Sequence, residues 1–219
     1  MKRELRITDD GSHTLYVHEM EESYHSVHGA IQESLHVFLE QGFLTLDKAF
    51  LNILEIGFGT GLNALLTLAE ANNRNVEVRY HGIEKYPLDY EEYSQLNYEA
   101  LIEGLTPGNL VKMHESPWDE AVQINDHFTL LKEKSDLREI KLQGPYDLVY
   151  FDAFDPEKQA HLWTEQIFDN ISSAVKPGGV LVTYTSKGNV RRALISCQFD
   201  VKKVPGPPGK RHILRATRR

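Results

Sequence analysis

The chain has 219 residues, 41% hydrophobic and 26% charged, with a formal net charge of −8 and a single cysteine, Cys197. Its length exceeds the common single-domain size of roughly 100–150 residues and its apolar share can bury a core, which excludes disordered, collagen-like, coiled-coil and disulfide-scaffold chains. One cysteine also excludes an internal disulfide or a thiolate metal cluster. No apolar run approaches the ~18–20 residues of a membrane helix, and the amino terminus MKRELRITDDG is charged, so a cytoplasmic protein without membrane association is expected.

In chain order, residues 4–18 carry two short β-prone stretches around Asp10-Gly11, a hairpin signal. Ser26 to Phe38 places Ala30, Ile31, Ser34, Leu35 and Phe38 on one stripe at helical spacing, with Gly42 as a stop. Phe50 to Ile56 reads as a strand that enters Gly57-Phe58-Gly59-Thr60-Gly61, and Leu62 to Ala71 as the helix that follows. The pattern continues with a strand at Val76–Ile83, a polar helix near Tyr90–Leu101, a strand at Leu110–His114 and a helix from about Asp119. Residues 127–143 are charged and aperiodic, which predicts a helical insertion or solvated loop.

Tyr146 to Phe151 is a nearly continuous apolar run of the kind buried on both faces of a parallel sheet. A helix over Thr164–Val175, a Lys176-Pro177-Gly178-Gly179 turn, a strand at Val180–Tyr184 and a helix at Asn189–Cys197 come next. Strands at Phe199–Val204 and His212–Thr217 flank PGPPGKR as a closing hairpin. The alternation predicts an α/β, Rossmann-like, doubly wound and mostly parallel seven-stranded sheet. Residues 1–45 form a hairpin and helix extension, and residues 46–219 the main domain.

Charge is unevenly distributed. From Lys176 onward there are eleven Lys and Arg against one acid, Asp200. A basic carboxy-terminal patch on an acidic body fits a phosphate-bearing partner, while a solubilising tail is the plain alternative.

The strongest local motif is Glu55-Ile56-Gly57-Phe58-Gly59-Thr60-Gly61, directly after a strand. Glycines bring a ligand against bare N–H groups without a Cβ clash. The E-x-G-x-G-x-G spacing resembles motif I of class I S-adenosylmethionine-dependent methyltransferases rather than a dinucleotide fingerprint. Glu84 ends the next strand, where a carboxylate accepts from both ribose hydroxyls. The third strand end reads His114-Glu115-Ser116-Pro117-Trp118-Asp119: Trp118 covering the adenine with Asp119 accepting from its amino group competes with Trp118 as core and Asp119 as a helix cap. Asp152, in Asp152-Ala153-Phe154-Asp155-Pro156, sits at the switch point of such sheets. There it can orient an amine nucleophile and ease loss of its proton. His25-x-x-His28 with His36 is the nearest approach to a metal cluster, and no metal is expected.

Taken together, ILEIGFGTGLN, EKYPL, YFDAFDP, LWTEQIF, KPGG and TYTSKGNVRRAL resemble the methyltransferase domain of the bifunctional tRNA wobble-uridine enzyme MnmC and its stand-alone relatives. The resemblance implies S-adenosyl-L-methionine as cofactor. It implies N-methylation of the 5-aminomethyl group of (2-thio)uridine in the tRNA anticodon, giving 5-methylaminomethyl(-2-thio)uridine. Gly57, Gly59 and Gly61 then hold the methionine part and Glu84 the ribose, with Glu55, Phe58, Asn63, Lys85, Trp118, Asp119 and Asp152 completing the cofactor set. Asp152 takes the acceptor amine, and Tyr24, Ser26, Phe154, Ser186, Arg191, Arg192, Lys210 and Arg211 face the tRNA. The bifunctional relatives add a flavin-dependent oxidase domain, and a chain ending at Arg219 is expected to be the stand-alone form. An aminopropyltransferase of the spermidine-synthase type shares the D-x-x-D of Asp152 and Asp155, and a non-catalytic nucleotide-binding module needs only the loop and Glu84.

Overall fold

The computed structural model describes residues 2–219. Strands β1 (Arg3–Ile7), β2 (His13–Val17) and β3 (Glu22–Ser23) make a small antiparallel sheet, so the hairpin expected around Asp10-Gly11 gains a third strand. Helix α1 (Ala30–Ser34) runs into a wider π-helical turn over Leu35–Glu40. That turn delivers Val37, Phe38 and Leu39 to the core.

The main sheet starts with β4 (Phe50–Ile56), α2 (Leu62–Arg74) and β5 (Glu77–Ile83). Helix α2 is bounded by Gly61 and Asn75, both in the left-handed region, and at Asn75 that conformation ends the helix cleanly. Next come α3 (Tyr90–Tyr93), opened by a reciprocal Asp89–Glu92 capping box, then α4 (Tyr98–Leu101) and α5 (Asn109–Glu115). Strands β6 (Ala121–Asn125) and β7 (Phe128–Glu133) precede β8 (Tyr146–Phe151). Helix α6 (Glu165–Ala174), capped by the Thr164 hydroxyl, leads to β9 (Val175–Thr183). Helix α7 (Gly188–Ser196) leads to the hairpin of β10 (Phe199–Pro205) and β11 (His212–Arg218).

The strands order as β10-β11-β9-β8-β4-β5-β7-β6, with β9, β8, β4, β5 and β7 parallel and both edges antiparallel. One face packs Leu51, Ile53, Tyr80 and Tyr150 against α2 and the amino-terminal segment, and the other packs Leu54, Phe151 and Leu181 against α6 and α7. β8 is buried along its whole length, as its apolar run requires.

The sheet has eight strands rather than the expected seven, and the third parallel strand is not where the sequence places it. Leu110–His114 is helix α5, and the segment after Asp119 is a β6–β7 hairpin, not a helix. The stretch 127–143, expected as a helical insertion or loop, contains β7 itself. The disguise has a physical cause. In Phe128-Thr129-Leu130-Leu131-Lys132-Glu133 the inward positions are Phe128, Leu130 and Lys132, and a lysine breaks an otherwise clean alternation. Lys132 is fully buried: its ammonium donates to the His114 carbonyl at 2.6 Å and lies 4.4 Å from the Trp118 ring centre. Burial lowers its pKa to about 8.

Candidate active site

The carboxyl ends of β4, β5 and β8, with the segments that follow β7 and β9, open into one cavity of about 530 Å³, roofed by residues 21–27, by Glu33 and Ser34, and by Lys210 from the β10–β11 loop. This is where open parallel sheets bind ligands.

The floor is the turn after β4. Gly57 has φ +87°, and a Cβ there would lie 2.6 Å from the Asp152 carbonyl oxygen, so only glycine lets this loop pass the end of β8. Gly59 N–H donates to Glu84 Oε2 at 2.9 Å, and Tyr86 N–H donates to Glu84 Oε1 at 2.7 Å. Glu84 is thereby fixed at the cavity wall with lone pairs to spare, an arrangement that suits a pair of ribose hydroxyls. Gly57, Phe58, Gly59, Asn63, Glu84 and Lys85 all line the cavity. Gly61 does not; it faces His114, Leu110 and Phe58 and starts α2.

Beneath the floor, Asn63 Nδ2 donates to both Glu55 Oε1 and Asp152 Oδ2, each at 2.8 Å. Glu55 is fully buried and supports the site from behind rather than lining it. Burial pushes its carboxyl well up, and the nearby Asp152 adds to this. Asp152 lines the cavity; burial, opposed by the Asn63 hydrogen bond, reinforced by the like charge of Glu33 and countered by Lys210, leaves its carboxyl pushed up to about 7.

The third strand end requires a correction. Trp118 and Asp119 do not line the cavity: Trp118 forms a β-bridge with Lys132 beside the sheet and Asp119 is an exposed turn residue with φ +62°. Because β7 rather than α5 is the third parallel strand, the residues at this corner are Ser135, Asp136 and Leu137. The Arg138 guanidinium and then the Lys85 ammonium hold Asp136 well below the usual carboxylate range. The signal was the β7 register itself, hidden by Lys132.

The roof comes from residues far apart in sequence. The Tyr24 and Phe154 rings meet edge to face at 5.0 Å, and both line the cavity, as does Ser26. Tyr184 O–H donates to the Ala153 carbonyl at 2.9 Å. Lys210 turns inward, pairing with Glu33 and standing 4.2 Å from the Tyr184 ring centre, so it is not a free surface cation. Ser186, Arg191, Arg192 and Arg211 lie outside the cavity, and Arg191, Arg192 and Arg211 are exposed with no ion-pair partner among the described residues. Sequence reasoning missed Glu33, Glu22 and Gln159, which carry no motif and reach the cavity only through the fold, and Tyr184, which lies in the TYTSKGNVRRAL stretch with no role assigned to it.

The histidines do not gather. His25 sits half-buried between Thr14 and Thr60, and desolvation pushes it down to about 4, while His28 pairs with Asp9 and His36 with Glu40. Among the described residues no group of three or more His, Cys, Asp or Glu is placed to hold a metal. Cys197 is free and buried, and no described helix is long and apolar enough to cross a membrane.

A parallel sheet with a glycine turn after its first strand, an acid ending the second and another acid opposite the turn is the class I S-adenosylmethionine-dependent methyltransferase arrangement. The model of a family described as S-adenosyl-L-methionine-dependent methyltransferase matches residues 104–219, and the chain belongs to that family. It is similar to the tRNA 5-methylaminomethyl-2-thiouridine biosynthesis bifunctional protein MnmC of Cupriavidus metallidurans, 30% identical over 94% of this chain and 32% of that protein. It is also similar to MnmC of Pseudomonas syringae pv. syringae, 32% identical over 89% of this chain and 31% of that one. The chain thus spans about a third of the length of these curated relatives. The crystal structure of MNMC2 from Aquifex aeolicus superposes on all of this chain and 70% of its own, with a TM-score of 0.82 and 27% identity.

Proposed function

We propose that this chain methylates the amino group of a 5-aminomethyl(-2-thio)uridine at the wobble position of tRNA, giving the 5-methylaminomethyl product in the cytoplasm, where tRNA resides. The observation that carries the reading is the placement of Asp152 between the glycine turn and the roof, with one carboxylate oxygen tied to Asn63. Similarity to MnmC across 94% of the chain supports the choice of acceptor.

S-adenosyl-L-methionine fits the floor: bare backbone at Gly57 and Gly59 for the methionine part, Glu84 for the ribose, and Ser135 to Leu137 for the adenine. When bound, it supplies an electrophilic methyl group. The protein's part is to bring in a cation and use it as a free base. Above pH 7 the Asp152 carboxylate is ionised, so it attracts the alkylammonium, takes one of its protons as general base, and keeps a hydrogen bond to the resulting neutral amine, whose freed lone pair points across the floor. Tyr24 and Phe154 offer aromatic surfaces to a uracil turned out of the anticodon loop. Residues 1–45 act here as the acceptor roof, and residues 46–219 as the methyltransferase body.

Arg191 and Arg192 on α7, Lys202 and Lys203 on β10, and Arg211 in the β10–β11 loop are exposed cations with no ion-pair partner among the described residues, available to anticodon-stem phosphates. The aminopropyltransferase alternative is disfavoured by Asp155. It is bound by Lys187 and lies outside the cavity, so the second acid of that pattern is not presented to a polyamine. The test is incubation of wild type and Asp152→Asn with labelled cofactor and tRNA from cells that cannot make this methylation, followed by nucleoside analysis. Label in 5-methylaminomethyl(-2-thio)uridine with wild type, and its loss in Asp152→Asn with cofactor binding retained, is the expected result. No label in tRNA from a protein that binds cofactor overturns it.

A further inference from the structure

Two charged side chains in the cavity, Glu33 and Lys210, belong to no motif and have no part in holding the cofactor. Glu33 on α1 is almost covered, its side chain 12% exposed; one oxygen accepts from the Ser26 N–H at 2.9 Å and the other from Lys210. Lys210 sits at the end of the β10–β11 loop, which starts after Pro205, whose carbonyl faces His36 Nε2 at 2.9 Å, and whose Gly209 packs against His28. Its ammonium stands over the Tyr184 ring, and Tyr184 is bonded to Ala153, the residue after Asp152. A continuous chain of contacts therefore runs from Glu33 through Lys210 and Tyr184 to the strand end that carries the catalytic acid.

We propose that Glu33 and Lys210 form a positioning pair for the acceptor: Glu33 holds the Lys210 ammonium over Tyr184, in the same cavity as Asp152 and one contact from the strand end that carries it, and so anchors the basic hairpin to the roof above the acceptor amine. The proposal rests on the reading of this cavity as an amine-methylating site. The groups facing Asp152 are Asn63 from α2, Glu55 from β4 with Tyr80 from β5 beneath it, Tyr184 following β9, Glu33 from α1 and Lys210 from the hairpin loop. Of these only Lys210 is a cation. Glu33 acts in the opposite sense, as a like charge. Lys210→Met removes the cation, whereas Glu33→Gln removes the like charge and keeps a side-chain oxygen to accept from Lys210, so the two variants move Asp152 in opposite directions, which a purely structural pair does not do.

The direct test is carbon NMR titration of the protein carrying carboxyl-labelled aspartate, with the Asp152 signal assigned by its absence in Asp152→Asn. Lys210→Met is expected to raise the Asp152 midpoint on the order of half to one pH unit, Glu33→Gln to lower it by a similar amount, and Lys210→Arg to leave it near wild type. Unchanged midpoints, or shifts in the same direction for both neutralising variants, overturn the proposal; if Lys210→Met does not fold, Glu33→Gln alone decides it. The acid limb of kcat/KM for transfer to aminomethylated tRNA should move with the NMR midpoints. Opposed NMR shifts in a protein that transfers nothing to tRNA leave the pair standing and sink the substrate reading. Transfer to tRNA with unmoved midpoints does the reverse.

Discussion

The floor and the roof of the cavity are built from different materials. The floor, from Gly57 to Asn63 with the ends of β5 and β8, is continuous with buried parallel strands and closed by short hydrogen bonds from Asn63 to Glu55 and Asp152 and from the Gly59 N–H to Glu84. The roof is held by contacts between distant segments: Lys210 to Glu33, Arg3 to Glu92, Lys187 to Asp155 and Glu157, and the Asp155 N–H to Glu22. In the proposed reaction the cofactor rests on the part built from buried parallel strands and the acceptor on the part assembled by charge. Apart from Asp152, where the two meet, changes in the floor should weaken cofactor binding or folding, and changes in the roof should alter which acceptor is used and how salt affects it.

The largest expected effect separates the two functions at their meeting point. Asp152→Asn should lower methyl transfer by roughly 10²–10⁴-fold, the usual contribution of a positioned acid or base, with calorimetric cofactor affinity little changed. Next, Phe151→Ala should destabilise the protein by about 3–5 kcal/mol in denaturant unfolding, because this side chain is fully buried against Trp163 and Phe168. Gly57→Ala forces a Cβ against the Asp152 carbonyl at positive φ and should cost about 1–3 kcal/mol, read as weakened cofactor binding and a lower Tm.

A smaller effect concerns pH. The Asp152 pKa is raised in the fold, so the native state holds a proton that the unfolded chain releases between about pH 4 and 7, and stability falls as pH rises through that window. Asp152→Asn removes this penalty. It should gain thermal stability over wild type at pH 8, by about 2–4 °C for each kcal/mol recovered, and gain less at pH 5. The smallest effects belong to the outer surface. Replacing Arg191, Arg192 or Arg211 by Ala should weaken tRNA binding modestly and lower the salt-dependence slope by about 1 for each phosphate left unneutralised, without touching kcat.

The same division governs what the sequence revealed. Glu55 to Gly61, Glu84 and Asp152 are legible because each ends a strand with a strong local pattern, and local pattern decides where a parallel strand stops. β7 was not legible because Lys132 occupies a core position, its charge accommodated by the His114 carbonyl and two aromatic rings that only the fold brings together. That single residue hid the cavity corner at the end of β7, which is lined by Ser135, Asp136 and Leu137 rather than by Trp118 and Asp119. Lys210 misled in the other direction: in a basic tail it reads as a surface cation, and a partner 177 residues away turns it inward.

The central claim, that this site methylates an amine presented on tRNA, is tested most directly by an acceptor competition with labelled cofactor. The acceptors are tRNA carrying 5-aminomethyl(-2-thio)uridine, the same tRNA lacking the aminomethyl group, and free spermidine. Label confined to the aminomethylated tRNA, recovered as the 5-methylaminomethyl nucleoside, is the predicted result; label in spermidine or in the tRNA lacking the group contradicts it.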